Sequence, residues 1–384
     1  MPEKSIYLDN AATTPMAPEV LDTMIPFMRD HFGNPSSIHS YGRKAKDAIE
    51  TTRRRVAAYL NCSPSEICFT SGGTEADNMA ISTAVHKHGV KHIVTTRIEH
   101  SAVIECVEWA EKMGWVQVHW LDLDEKGRID PHQLEDLLHK FEHVLVSLMH
   151  GNNEIGNLLD LVAVGNLCHA HDALFHSDTV QTMCHYHFDM KELPVDFLTA
   201  SAHKFHGPKG VGFLFHRKQL GALSITHGGG QERNRRAGTE NSYGIVGLGK
   251  AMDLAYENLE EHRMHIEGLK QQMIEELKEA IPGIGFNGMS ESEDSLYTVL
   301  SVNFPATDIA SMMLFRLDIE GIACSGGSAC SSGSSSGSHV IENVACTNSG
   351  PNVRFSFSRY NTSDDISSCV RILAQLMTEE VQAG

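Results

Sequence analysis

Lys204 stands in Ser201-Ala202-His203-Lys204-Phe205-His206-Gly207-Pro208, a tight turn between the apolar runs 196–200 and 211–215. Runs of that kind read as buried strands. A lysine held between them is costly unless it is paired, neutral or used covalently. Desolvation frees its amine as a nucleophile, which is what Schiff-base chemistry needs. Ser201 and His203 beside it could hold an anion. A second candidate is Ser71-Gly72-Gly73-Thr74-Glu75-Ala76-Asp77-Asn78, which joins strand 67–70 to a helical pattern running to about residue 86. Free amides and the positive end of a helix dipole make such a turn a phosphate site, with the Thr74 hydroxyl as a further donor. The glycine spacing is neither GxGxxG nor GxxxxGK[ST], so dinucleotide and nucleoside-triphosphate sites lose ground. Taken singly, a surface hairpin and an ordinary helix N-cap explain these two stretches equally well. The third candidate is Cys330. From Ser325 to Ser338 every residue except Ala329 and Cys330 is Gly or Ser. A stretch that buries so little should be mobile, and an exposed cysteine on it suggests a thiol that travels.

The elements that must position these residues alternate. Strands are expected at 92–96, 116–120, 144–149, 173–177 and 196–200, with helices at 19–31, 39–60, 101 onward, 131–140 and 160–171. Such alternation predicts an α/β fold with a mostly parallel sheet flanked by helices. Ligands of such sheets bind beyond the carboxyl ends of the strands. Thr74, His100, Asn152, Asp178, Gln181, Ser201, His203 and Lys204 all fall there, and that convergence depends on no single residue. Residues 242–280 read as two helical pieces breaking near 260–262. A smaller α+β domain follows, with strands 297–304 and 352–357. In the latter, Arg354 faces away from Val353 and Phe355. A final helix opens on a Thr362-x-x-Asp365 capping box and packs Ile366, Val370, Leu373 and Met377. The expected division is 15–258 for the large domain, and 1–14 with 259–384 for the small one. The loop 227–240, rich in Gly and Arg, suggests an anion or a subunit contact.

Composition limits the partners. A chain of 384 residues exceeds one compact core. The net charge of −18 argues against nucleic acid or an anionic membrane as the main partner. No run of 18 apolar residues and no signal-peptide pattern occurs, and nine cysteines without a CxxC pair fit a reducing cytoplasm. Among 23 histidines, His169, His171, His176, His185 and His187 lie close in sequence. His-x-His on a strand shares a face, but no carboxylate or cysteine pattern completes a site, so no metal is expected.

Taken together, YLDNAATT, GNPSSIHSYG, SGGTEADN, Glu99-His100, NNEIG, HSDTVQ, SAHKFHGPKG, GGGQERNRRAGTEN, GSACSSG and VRFSFSRY resemble the aminotransferase-like (fold type I) pyridoxal-phosphate enzymes. Within these they are most similar to the cysteine desulfurases of the NifS/IscS type. The resemblance spans nearly the whole chain. It implies pyridoxal 5′-phosphate bound covalently by Lys204. Asp178 would pair with its ring nitrogen, His100 would stack on the ring and move protons, and Gln181 and Asn152 would lie on the ring-oxygen side. Gly73, Thr74, Ser201 and His203 would hold the phosphate, completed by Thr239 from a second copy in a homodimer. Arg354 would grip the carboxylate of L-cysteine, with Asn34 near the same end. The GSAC motif implies Cys330 as the sulfur-accepting nucleophile, leaving alanine and a persulfide. Cys324 is its rival by proximity, and Cys346 is a further thiol. The housekeeping members carry a longer tail that docks the iron–sulfur scaffold. The sequence ends at Gly384 with no counterpart, so the acceptor protein stays open. The alternatives are a selenocysteine lyase and an aminotransferase, the latter with no use for Cys330.

Overall fold

The computed structural model describes residues 5–307, 309–326, 338–346 and 348–379. Cys330 and residues 327–337 around it lie outside them. In chain order the elements begin with β1 (Ile6–Tyr7), α1 (Pro18–Arg29), α2 (Ser40–Tyr59), β2 (Ile67–Thr70), α3 (Gly73–His88), β3 (His92–Thr95) and α4 (Ser101–Lys112). There follow β4 (Gln117–Trp120), α5 (Pro131–Lys140), β5 (Val144–Ser147), α6 (Leu161–Ala170), β6 (Leu174–Asp178), β7 (Phe197–Ser201) and β8 (Gly212–His216). The remainder is the single turn α7 (Gln231–Asn234), α8 (Ser242–Glu257), α9 (Leu259–Ala280), β9 (Gly285–Phe286), β10 (Val299–Asn303), α10 (Met313–Ile319), β11 (Ile322–Ala323), β12 (Asn352–Ser356) and α11 (Ser363–Glu379).

Seven strands form the main sheet in the order β2-β8-β7-β6-β5-β3-β4. From β7 to β4 every pair is parallel, whereas β8 runs antiparallel to both β7 and β2. Every residue of β2, β5, β7 and β8 is buried. That is why these strands read as unbroken apolar runs: helices cover both faces. Ile49 and Val56 of α2, Val164 of α6 and Leu248 of α8 pack on one side. Ile81 and Ala84 of α3 with Val103 and Val107 of α4 pack on the other. At Gly212 a Cβ would lie 2.3 Å from the Ala200 carbonyl oxygen and 2.9 Å from the Gly72 Cα. Only glycine lets β8 press against the turn that opens α3.

A second, antiparallel sheet has the order β12-β10-β9, and β1 pairs in parallel with β11. Helices α9 and α11 cover it through Ile266, Leu269 and Met273 with Ile366, Val370 and Leu373, joined by Ile6 and Leu8 from the N-terminal segment. The capping box is present: Asp365 N–H donates to Thr362 Oγ1 at 3.2 Å, and Thr362 N–H to Asp365 Oδ2 at 3.0 Å. The break between α8 and α9 falls at Asn258, slightly before the expected position.

Two sequence suggestions read differently in the structure. His185 and His187 do not stand on a strand, because the chain turns there. His185 Nδ1 bonds the Tyr297 hydroxyl at 2.9 Å and His187 stacks on Tyr256. The arginines of the 227–240 loop are mostly committed within the chain rather than offered to an anion. Arg236 pairs with Glu75 at 2.8 Å and Arg233 with Glu50 at 3.0 Å. Arg235 donates to the Ser65 carbonyl at 2.5 Å.

The loop's own Glu232 takes both guanidinium nitrogens of Arg53 at 2.7 Å and accepts from Phe69 N–H at 2.9 Å. Arg53 and Glu232 are both almost fully buried. These bonds hold the Arg53 charge in spite of its burial. The pair pins the loop to β2, two residues before the glycine turn. Removing one partner strands a buried charge, so Glu232→Ala is expected to cost about 3–5 kcal/mol in a denaturant melt. A loss below about 1 kcal/mol, the value of a surface pair, would contradict the pinning role.

Candidate functional site

Loops from four parallel strands and the start of α3 meet around a cavity of about 240 Å³. Thr74 follows β2, His100 follows β3, Asn153 follows β5, Asp178 ends β6 and Ser201 ends β7. Ala11, Ala12 and Arg354 close it from the other side. Of the residues singled out in the sequence, Gly73, Thr74, His100, Asp178, Gln181, Ser201, His203, Lys204 and Arg354 line this cavity. Asn152 does not. Its side-chain amide donates to the Ile98 carbonyl at 2.8 Å and its oxygen accepts from the Glu154 and Ile155 amides, so it shapes the turn. It lines an adjoining apolar cavity of about 330 Å³ instead. Asn34 and Thr239 are exposed and outside both.

Each wall has a local cause. Strand β7 ends at Ser201, a 3₁₀ turn carries residues 202–204, and Lys204 Nζ donates to the carbonyls of Ala11 and Ala12, the latter at 3.0 Å. The first amides of α3 have no intrahelical acceptor and open toward the cavity. A Cβ on Gly73 would lie 2.8 Å from Val180 Cγ2, so the wall at Val180 fits only a glycine. Gln181 Nε2 donates to the Ala11 carbonyl at 3.0 Å. His203 shares a hydrogen bond with Thr13 at 3.1 Å, and its pKa is lowered to about 4 by burial and by the nearby Lys204 charge, which keeps it neutral.

His100 caps α4, its Nδ1 accepting from Ala102 N–H at 3.1 Å. A ring nitrogen that accepts is unprotonated, so the neutral ring carries its proton on Nε2. Burial lowers its pKa, with Asp178 acting against that shift. His100 therefore presents a donor, not a base.

Asp178 is buried, accepts from Val180 N–H at 2.8 Å, and has its pKa raised to about 7 by burial and by Asp77. Asp77 lines the same cavity, lies 3.4 Å from His176 Nε2, and is raised to about 7 by burial. Glu99 is buried too, with Oε2 lacking a partner and its pKa raised by burial. Three buried carboxyls this close cannot all be ionised at once, and a positive charge beside Asp178 would favour its ionised form. A folded-state pKa above the unfolded value means the native state holds the proton longer, so stability from that group is lost as pH rises from about 4 to about 7. The stability difference between the protein and Asp77→Asn should accordingly shift against the protein over that window in paired melts. A difference independent of pH would contradict a protonated Asp77.

Arg354 is buried on β12. Nη2 meets Asp9 at 2.9 Å and Nη1 donates to the Asn153 carbonyl at 2.9 Å, while Nε has no partner. Arg354 lines the cavity, so its guanidinium is placed to meet a carboxylate there. The described ends of the glycine–serine stretch also reach this region. Ser325 pairs by backbone with Arg354 and its hydroxyl donates to Asp9 at 2.7 Å. Ser338 bonds Glu154, and His339 bonds the Glu99 carbonyl at 3.0 Å, next to His100.

Sequence reasoning missed Asp77, Asp9 and Asn153. Asp77 stands three residues after Thr74 on a helix, hence on the same face, a usable signal. Asp9 and Asn153 act through long-range folding, for which the sequence holds no local sign.

The aminotransferase class-V family matches residues 6–368. A cysteine desulfurase IscS of Dictyoglomus turgidum is 40% identical over 380 residues, covering 98% of this chain and 95% of its own. A solved NifS-like protein is 35% identical with a TM-score of 0.89, covering 98% of this chain and 100% of its own. A structure described as SspA in complex with cysteine is 30% identical with a TM-score of 0.77, covering 93% and 100%.

Proposed function

This chain belongs to the class-V aminotransferase family, with the cysteine desulfurases of the IscS and NifS type, and from that premise we propose that it removes sulfur from L-cysteine using pyridoxal 5′-phosphate. The observation carrying the proposal is the meeting of Lys204, Asp178 and Arg354 in one cavity, with both described ends of the Cys330 segment beside it.

The residues fit the cofactor. The α3 amides at Gly73 and Thr74, with Ser201 and His203, would hold its phosphate, and Lys204 would bind it covalently. Asp178 would meet the ring nitrogen, whose positive charge answers the buried acid. Gln181 would lie on the ring-oxygen side. When bound, the cofactor supplies an electron sink for the substrate carbon.

The chain's own groups do the rest. The Arg354 guanidinium orients the substrate carboxylate. The Lys204 amine takes the α-proton, because His100 arrives with Nε2 already protonated and can only donate. Cys330 thiolate attacks the substrate sulfur: an S–S bond forms, the C–S bond breaks, and its electron pair stays with the carbon fragment until protonation yields alanine. Sulfur remains on Cys330 as a persulfide for an acceptor protein.

We further read residues 15–258 and 1–14 with 259–384 as two domains, with Arg354 brought by the smaller one. A homodimer is supported by the exposed apolar side chains Leu21, Ile25, Met28, Phe32, Ile38 and Tyr41, which a second copy would cover. That copy would supply Thr239 to the phosphate and bring Asn34 toward the substrate end. Asn152 would act by shaping the turn that presents Asn153. No helix among the described residues is long and apolar enough to cross a membrane.

The test is alanine and sulfide release from L-cysteine with a reducing thiol. Equal amounts of both support the proposal. Release from L-selenocysteine alone, or amino transfer to a keto acid without sulfide, would overturn it in favour of the lyase or the aminotransferase. The glycine wall is tested separately. Gly73→Ala should push Val180 into the cavity and weaken cofactor uptake by the apoprotein about tenfold, as overpacking of 1–3 kcal/mol implies. An unchanged absorbance titration would contradict the fit.

A further inference from the structure

His171 has no metal-ligand pattern near it in sequence, but the fold brings it two. Glu135 and His139 stand one turn apart on α5, and His171 caps the C-terminal end of α6. The His139 and His171 rings meet edge to face with centroids 4.4 Å apart. One carboxylate oxygen and one nitrogen of each ring lie within 4.8 Å of one another. Among the described residues no hydrogen bond or ion pair commits any of the three side chains, so their ligand atoms remain available.

The surroundings favour a cation. His139 lies in the last turn of α5 and His171 at the end of α6, so the negative ends of two helix dipoles converge there. The chain carries a net charge of −18. Two imidazoles and one carboxylate suit a borderline divalent ion, whereas calcium and magnesium require sets of oxygen ligands.

We propose that Glu135, His139 and His171 bind one zinc-class divalent cation, with water in the fourth position, and so clip α5 to α6. Each helix precedes a parallel strand, so this corner lies at the amino edge of the sheet, opposite the cofactor cavity. The ion is thus remote from the reaction, and the inference stands independently of the proposed activity.

The experiment uses the full-length holoprotein stripped of metals by chelator and titrated with Co²⁺ as a spectroscopic probe and with Zn²⁺ by calorimetry. We expect one saturable equivalent, nitrogen–oxygen cobalt bands without thiolate charge transfer, and a zinc-dependent rise in melting temperature. His171→Ala and Glu135→Gln should each weaken binding at least about tenfold, judged against the 10–100-fold cost of losing even an outer partner. Alanine release should be unchanged in both. No saturable binding, thiolate bands, or equal affinity in the variants would overturn the assignment.

Discussion

Replacing Cys330 with alanine is expected to abolish alanine and sulfide release from L-cysteine, while the protein still binds its cofactor and still shifts its absorbance when cysteine is added. The cavity groups proposed to hold cofactor and substrate are untouched by the change. What is lost is the thiolate proposed to accept sulfur. The other cysteines are poor substitutes for physical reasons. Cys324 directly follows β11 and its thiol is pushed up to about 12 by burial and by Asp9. At neutral pH its thiolate fraction is on the order of 10⁻⁵. Cys68, Cys106, Cys168, Cys184 and Cys369 are buried. Cys346 is exposed, but its thiol is raised as well. Turnover should therefore fall by at least about 10³-fold in Cys330→Ala and remain near normal in Cys324→Ala, as the thiolate argument requires. Activity lost only in the Cys324 variant would reverse the assignment.

Lys204→Ala should be at least as damaging. Lys204 is proposed both to hold the cofactor and to take the α-proton, so one substitution removes a covalent link and a base. A general base alone contributes about 10²–10⁴-fold, and the lost link adds to it. We expect turnover to drop by about 10⁴-fold or more and the cofactor to leave on dialysis. Retained cofactor absorbance together with measurable turnover would contradict both roles. In contrast, His100→Asn keeps an N–H donor, and on the tautomer argument it should be far milder than Lys204→Ala.

Most of the site was legible because its residues sit at the ends of strands that announce themselves as apolar runs. Lys204, Asp178, Ser201 and Thr74 each follow such a run, and the rule that ligands bind at carboxyl ends gathers them without any contact being known. The boundaries of β2 and α5 and the Thr362–Asp365 box were equally local and fell where their residue types place them. What was not legible depended on distant chain. Asp9 reaches Arg354 across the whole sequence, and Asn153 rather than its neighbour Asn152 lines the cavity, the Asn152 side chain being held by two bonds within its turn and one to the Ile98 carbonyl. The arginines of the 227–240 loop looked free for an anion because their acidic partners, Glu50 and Glu75, lie far away in sequence. His171 shows the same effect, since its neighbours Glu135 and His139 come from the preceding helix.

The most direct test of the central claim is a single turnover with L-cysteine and no reducing thiol, followed by mass measurement of the peptides. One equivalent of alanine and the mass of one additional sulfur atom on the peptide carrying Cys330 is the expected result. Alanine formed with the added sulfur on Cys324 or Cys346, or with no added sulfur at all, would contradict the account.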